Sequence, residues 1–132
     1  RKNRWLFRDR RQGWNKDPLA FLQSRHWPGF EDNAGYAIAK KQMRDFGGMI
    51  SFTLKDSSMD AANKVLSATR LFSLAESLGG VESLINHPAS MTHASIPKEE
   101  RIKNGLSEGL IRLSVGIEDA DDLIKDLEEV IG

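Results

Sequence analysis

Among the residues able to do chemistry, Arg112 stands in the best-defined setting. It lies in the run Leu110-Ile-Arg-Leu-Ser-Val115, where Ile111, Leu113 and Val115 alternate with Leu110, Arg112 and Ser114. Such alternation predicts a half-buried strand with the arginine on the face opposite the apolar one. A guanidinium stays charged in proteins and presents a fork of donors that matches a carboxylate. Held on a strand, it would be a rigid anchor for an anionic substrate. On spacing alone, a solvent-facing arginine on the open side of a sheet is the plainer reading.

The other candidates carry less. His87 and His93 lie six apart, and His26 stands far away in the chain, so none matches the i, i+4 spacing of a helical zinc pair. With no cysteine there is neither a disulfide nor a thiolate metal site. Ser77 sits in Glu76-Ser-Leu-Gly-Gly80, read as a helix-ending turn, with no Gly-x-Ser-x-Gly around it. Phosphate-cradling glycine loops are missing as well. The acids of the C-terminal segment read as a solvated helix face. Metal-dependent and serine-nucleophile chemistry thus find no support.

The elements that must hold Arg112 can be read from periodicity. Trp27-Pro-Gly29 is a turn. Asn33 to Phe46 reads as a helix, with Tyr36, Ala39, Met43 and Phe46 at helical spacing, stopped by Gly47-Gly48. Met49 to Leu54 reads as a strand with Ile50, Phe52 and Leu54 on one face. Ser57 and Asp60 have capping-box spacing, and the helix they open runs to about Ala75. Glu82 to His87 reads as a further strand, Pro97 to Asn104 as a short helix and Asp119 to Ile131 as an amphipathic helix. The expected fold is α+β: a small, mostly antiparallel sheet with helices on one face.

The 132 residues suit one domain, and 39% apolar with 29% charged residues is a globular composition. No apolar run reaches the ~20 residues of a membrane-spanning helix. A cytoplasmic protein is the expectation. The formal net charge of zero conceals an asymmetry: residues 1–16 carry seven Lys/Arg and one acid, for +6, and the remainder carries twelve and eighteen, for −6. Trp5, Phe7 and Trp14 lie among these cations. A basic arm with aromatics could bind nucleic acid. An arm packed on a partner subunit is the plainer reading, because so short a basic stretch is a low-specificity signal.

Four ordered segments resemble the cystathionine γ-synthase/γ-lyase family. They are Trp27-Pro-Gly29, Phe46-Gly-Gly-Met-Ile-Ser-Phe52, the stretch from Leu74 through Glu76-Ser-Leu-Gly-Gly80 and Met91-Thr-His93 to Ser95, and Leu110-Ile-Arg-Leu-Ser-Val-Gly-Ile-Glu-Asp119. The resemblance covers about Trp27 to Gly132. The resemblance implies the smaller, C-terminal domain of a fold-type I pyridoxal-phosphate enzyme, which closes the substrate side of a large cofactor-bearing domain. The expected organisation is a basic head at 1–26 and a substrate-closing domain at 27–132.

By this resemblance Arg112 clamps the α-carboxylate of an amino-acid substrate. Ser77 helps hold the carboxylate, Glu76 lies toward the distal end of the substrate and Thr92 supports the arginine. The implied reactions are replacement or elimination at the γ carbon, linking homoserine esters, cysteine and cystathionine. A sulfhydrylase, a methionine γ-lyase or a non-catalytic binding module are the alternatives. The family's Ser-x-Thr-Lys-Tyr-type cofactor segment does not occur in the sequence, and residues 1–24 do not match what precedes this region in the family. The chain alone is therefore expected to be catalytically silent. Its expected partners are the large domain and, in the complete enzyme, a homotetramer.

Overall fold

The computed structural model describes residues 21–131; of the expected basic head at 1–26, residues 1–20, which include all of the strongly charged stretch 1–16, lie outside the described residues. The elements run β1 (Leu22–His26), α1 (Tyr36–Gln42), β2 (Met49–Leu54), α2 (Met59–Ala68), β3 (Ser73–Leu74), β4 (Leu84–Asn86), α3 (Lys98–Lys103), β5 (Leu110–Ser114) and α4 (Ala120–Ile131). The five strands form one sheet in the order β1-β2-β5-β4-β3. No helix among the described residues is long and apolar enough to cross a membrane.

The fold is α+β. The sheet is mixed, however, where sequence reading expected a mostly antiparallel one: β1–β2, β2–β5 and β5–β4 pair antiparallel, and β4–β3 pairs parallel. The difference arises where the second helix stops. Sequence periodicity carried it to about Ala75, but the chain leaves α2 at Thr69 in extended conformation. The carboxylate of Asp126 on α4 accepts the next three backbone N–H groups, those of Arg70, Leu71 and Phe72, at 2.8, 3.0 and 3.2 Å. With its donors satisfied outside any helix, the chain straightens and Ser73–Leu74 lie beside β4.

Alternation puts Ile50, Phe52 and Leu54 of β2, Ile111 and Leu113 of β5 and Ile85 of β4 on one face. There they meet Ala62, Val65 and Leu66 of α2 and Leu123 and Leu127 of α4 in a single buried cluster. Each large side chain so buried contributes roughly 1.5–3 kcal/mol. Helices α1 and α3 bury none of their residues. The cap of α2 is Ser58, whose Oγ accepts from Ala61 N–H at 3.2 Å, in place of the expected Ser57–Asp60 box. Asp119 opens α4 by accepting from Asp121 N–H at 2.9 Å. The first helix is shorter than expected because Phe46 turns inward, stacking on Tyr36 and meeting Trp27 edge-on. Trp27 Nε1 donates to the Gly47 carbonyl at 3.0 Å, fixing that corner. Strand β1, which falls within the stretch read as the basic head, adds an edge to the sheet against β2.

Candidate functional site

Arg112 occupies the middle of β5, which has β2 on one side and β4 on the other. The register aligns His26, Ser51, Arg112 and Asn86 in one rung across four strands. Successive side chains alternate faces, so this rung lies on the side away from the apolar cluster, accompanied by Thr53 and Ser114. The guanidinium is half-buried and makes no hydrogen bond or ion pair with any described residue. Its Nε is fully buried and without a partner, and so is Oδ1 of Asn86. A strand-borne arginine whose charge is not spent internally is suited to receive an anion.

Residues 75–83, between β3 and β4, are pinned beside this face. Ala75 N–H donates to Ile85 O at 3.1 Å. Gly79, at φ 77° in the left-handed region that favours glycine, donates its N–H to Ser114 Oγ at 2.8 Å. Ile117 N–H donates to Val81 O at 2.9 Å. Ser83, fully buried, donates its N–H and its Oγ–H to the two carboxylate oxygens of Glu118, at 2.6 and 2.8 Å, and Ser83 Oγ accepts from Gly116 N–H at 2.9 Å. Gly116 has to be glycine here: a Cβ would come within 2.2 Å of the Val81 carbonyl oxygen. Partial burial works to raise the Glu118 pKa, but the bonds from Ser83 and from Glu118's own backbone N–H together outweigh it and hold the carboxyl below its ordinary value.

Glu76 and Ser77 lie within this pinned loop, following β3 directly rather than ending a helix as read from the sequence. Both are exposed. Thr92 lies in the turns after β4; its Oγ1 pairs with His93 Nδ1 at 2.8 Å. None of the three bonds to Arg112; Glu76 and Ser77 follow β3 and Thr92 follows β4 in the chain. His87 is fully buried with both ring nitrogens engaged, Nδ1 with Ser90 Oγ at 2.7 Å and Nε2 with Glu108 O at 2.6 Å. Sequence reasoning passed over Asn86, Ser114, Ser83 and Glu118. Ser114 carried a signal, being two residues from Arg112 on the same strand face. Asn86 became visible only through the pairing of β4 with β5.

The comparisons with known proteins fall on this same stretch. Residues 20–131 match the family described as Cys/Met metabolism PLP-dependent enzyme, and the chain belongs to that family. It is 58% identical over 106 residues to cystathionine β-lyase of Coxiella burnetii, covering 80% of this chain and 27% of the relative. It is 52% identical over 115 residues to L-methionine γ-lyase of Fusobacterium nucleatum subsp. nucleatum, covering 87% and 28%. Yeast cystathionine γ-lyase superposes with a TM-score of 0.80 at 49% identity, covering 84% of this chain and 28% of the other. The chain thus spans little more than a quarter of these relatives.

Pyridoxal phosphate is the cofactor of the family. A lysine that forms a Schiff base is activated by a desolvated setting. Every described lysine is exposed, so the described residues do not fit as the cofactor's covalent holder. The donor chemistry present, a guanidinium without an internal partner, fits a carboxylate.

Proposed function

We propose that residues 27–132, joined by β1, form the C-terminal, substrate-closing domain of a pyridoxal-phosphate-dependent transsulfuration enzyme of the cystathionine γ-synthase/γ-lyase type, in which Arg112 binds the substrate's α-carboxylate. The observation that carries this reading is that the Arg112 guanidinium, on a central strand, has no partner among the described residues. Its burial at the root and its strand backbone fix where the carboxylate sits, and a fixed carboxylate selects which bond of the amino acid faces the reacting centre. The cofactor, held by a lysine elsewhere in the complete enzyme, supplies the electron sink. Glu76 and Ser77 contribute from the pinned loop, Ser77 toward the carboxylate and Glu76 toward the distal end of the substrate, and Thr92 stands in support. The complete enzyme is a cytoplasmic homotetramer that brings the large domain to this face.

The names of the relatives, cystathionine β-lyase and L-methionine γ-lyase among them, support a sulfur-containing amino acid as substrate and keep a methionine γ-lyase or sulfhydrylase as the second reading. The test is a chimera in which residues 27–132 replace the matching quarter of the Coxiella enzyme. Activity on cystathionine is expected from the chimera and not from the 132-residue chain. Arg112→Ala in the chimera should lower kcat/KM by about 10²- to 10³-fold, as expected for loss of a charge-assisted fork. An Arg112→Ala chimera as active as its parent refutes the carboxylate role, and turnover by the isolated chain refutes the domain assignment.

A further inference from the structure

We infer that Asn86 is a positioning residue for Arg112, the acceptor on which the Arg112 Nε–H settles when the terminal nitrogens of the guanidinium take an anion. The inference rests on the carboxylate-anchor reading of Arg112 and adds a residue to it. Asn86 is 2% exposed, and its Oδ1 is a buried acceptor with no donor. Arg112 Nε–H is a buried donor with no acceptor among the described residues. The two residues are direct partners across the β4–β5 ladder. Antiparallel partners on one face have Cβ atoms about 4.5–5.5 Å apart, within reach of a modest side-chain rotation.

The chemistry of the two orphans is complementary, and leaving each buried and unsatisfied forfeits the hydrogen bond that water would otherwise supply. Burial of Nε also closes the side-on approach to the guanidinium, in which a carboxylate bonds Nε and one terminal nitrogen. An incoming anion is left with the end-on fork made by the two terminal nitrogens, and Nε–H is left needing an acceptor from within the sheet. Ser51, on the opposite side of Arg112 in the same rung, is only half-buried and its hydroxyl is not among the orphaned atoms. Asn86 is neutral, so it can fix the root of the guanidinium without cancelling the charge that the ligand needs.

The experiment is NMR of the isotope-labelled 132-residue chain titrated with sodium acetate, against sodium chloride at equal ionic strength. In the wild type, acetate should shift the Arg112 Nε–H resonance, slow its exchange with water severalfold and move the Asn86 side-chain amide with the same midpoint. Asn86→Leu should bind acetate about 3- to 10-fold more weakly and show no slowing, whereas Asn86→Gln should stay within about twofold of wild type. If the Asn86 amide stays still while Arg112 titrates, or if Asn86→Leu matches wild type in affinity and exchange, the positioning role is wrong and the carboxylate anchor stands. An Arg112 that does not respond to acetate at all sinks the anchor, and the role of Asn86 falls with it.

Discussion

Arg112 owes its availability to what faces it across the ladder: a serine hydroxyl on β2 and an asparagine amide on β4, with no carboxylate of a described residue bonded to it. Alternation along β5 was enough to place the guanidinium on the polar side of a strand. Whether it was already paired could not be read there, because the deciding neighbours lie far away in sequence. Glu118 was hidden for the same reason: Ser83, which holds it, lies 35 residues earlier. Its lowered pKa makes a stability prediction. A carboxyl held below its ordinary value of 4.5 stabilises the fold fully above about pH 4.5, and that contribution is lost as pH falls through the lower folded value. Urea midpoints measured from pH 7 to pH 3 should therefore fall less steeply with acid in Glu118→Gln than in the wild type. Parallel curves for the two proteins would show that the Ser83–Glu118 contact contributes nothing to the acid response.

The elements were legible to different degrees. Strands β2 and β5 and helix α4 matched their periodicity closely, since each buries a clean apolar stripe. Strand β1 was missed because Leu22-Gln-Ser-Arg-His26 has no apolar alternation; it is an edge held by backbone pairing to β2. The end of α2 was misplaced because Asp126, read as part of a solvated acidic face, is 6% exposed and gathers the three N–H groups that a longer helix would have satisfied. Asp126→Ala should destabilise the chain by about 2–4 kcal/mol in chemical denaturation, since three donors lose their acceptor at once. The loss should begin locally, with hydrogen exchange at Ala75 N–H accelerating before that of the β2–β5 ladder. Uniform acceleration across all strands would argue against a local tether.

For the whole molecule, the governing feature is that β5, last of the strands in sequence, is the middle of the sheet. It joins the β1–β2 pair to the β4–β3 pair, and its Leu113 and Ile111 sit at the centre of the apolar cluster. Fold class was legible because mixed strand and helix periods leave few layered solutions, but strand order was not, since non-local pairing leaves no local trace. A chain ending at Gly105 should accordingly show no cooperative unfolding transition by circular dichroism, although it keeps four of the five strands. A sharp transition in that truncated chain would mean that the halves close without their centre.

This placement also governs how the polypeptide is made. Met49 must wait for Ser114 to be polymerised before their two strands can meet. Until then the segments of β2 and β4 lack the strand that joins them, and their hydrogen-bonding edges and apolar residues stay uncovered. Such an interval invites mispairing between the exposed edges of neighbouring copies on a polysome.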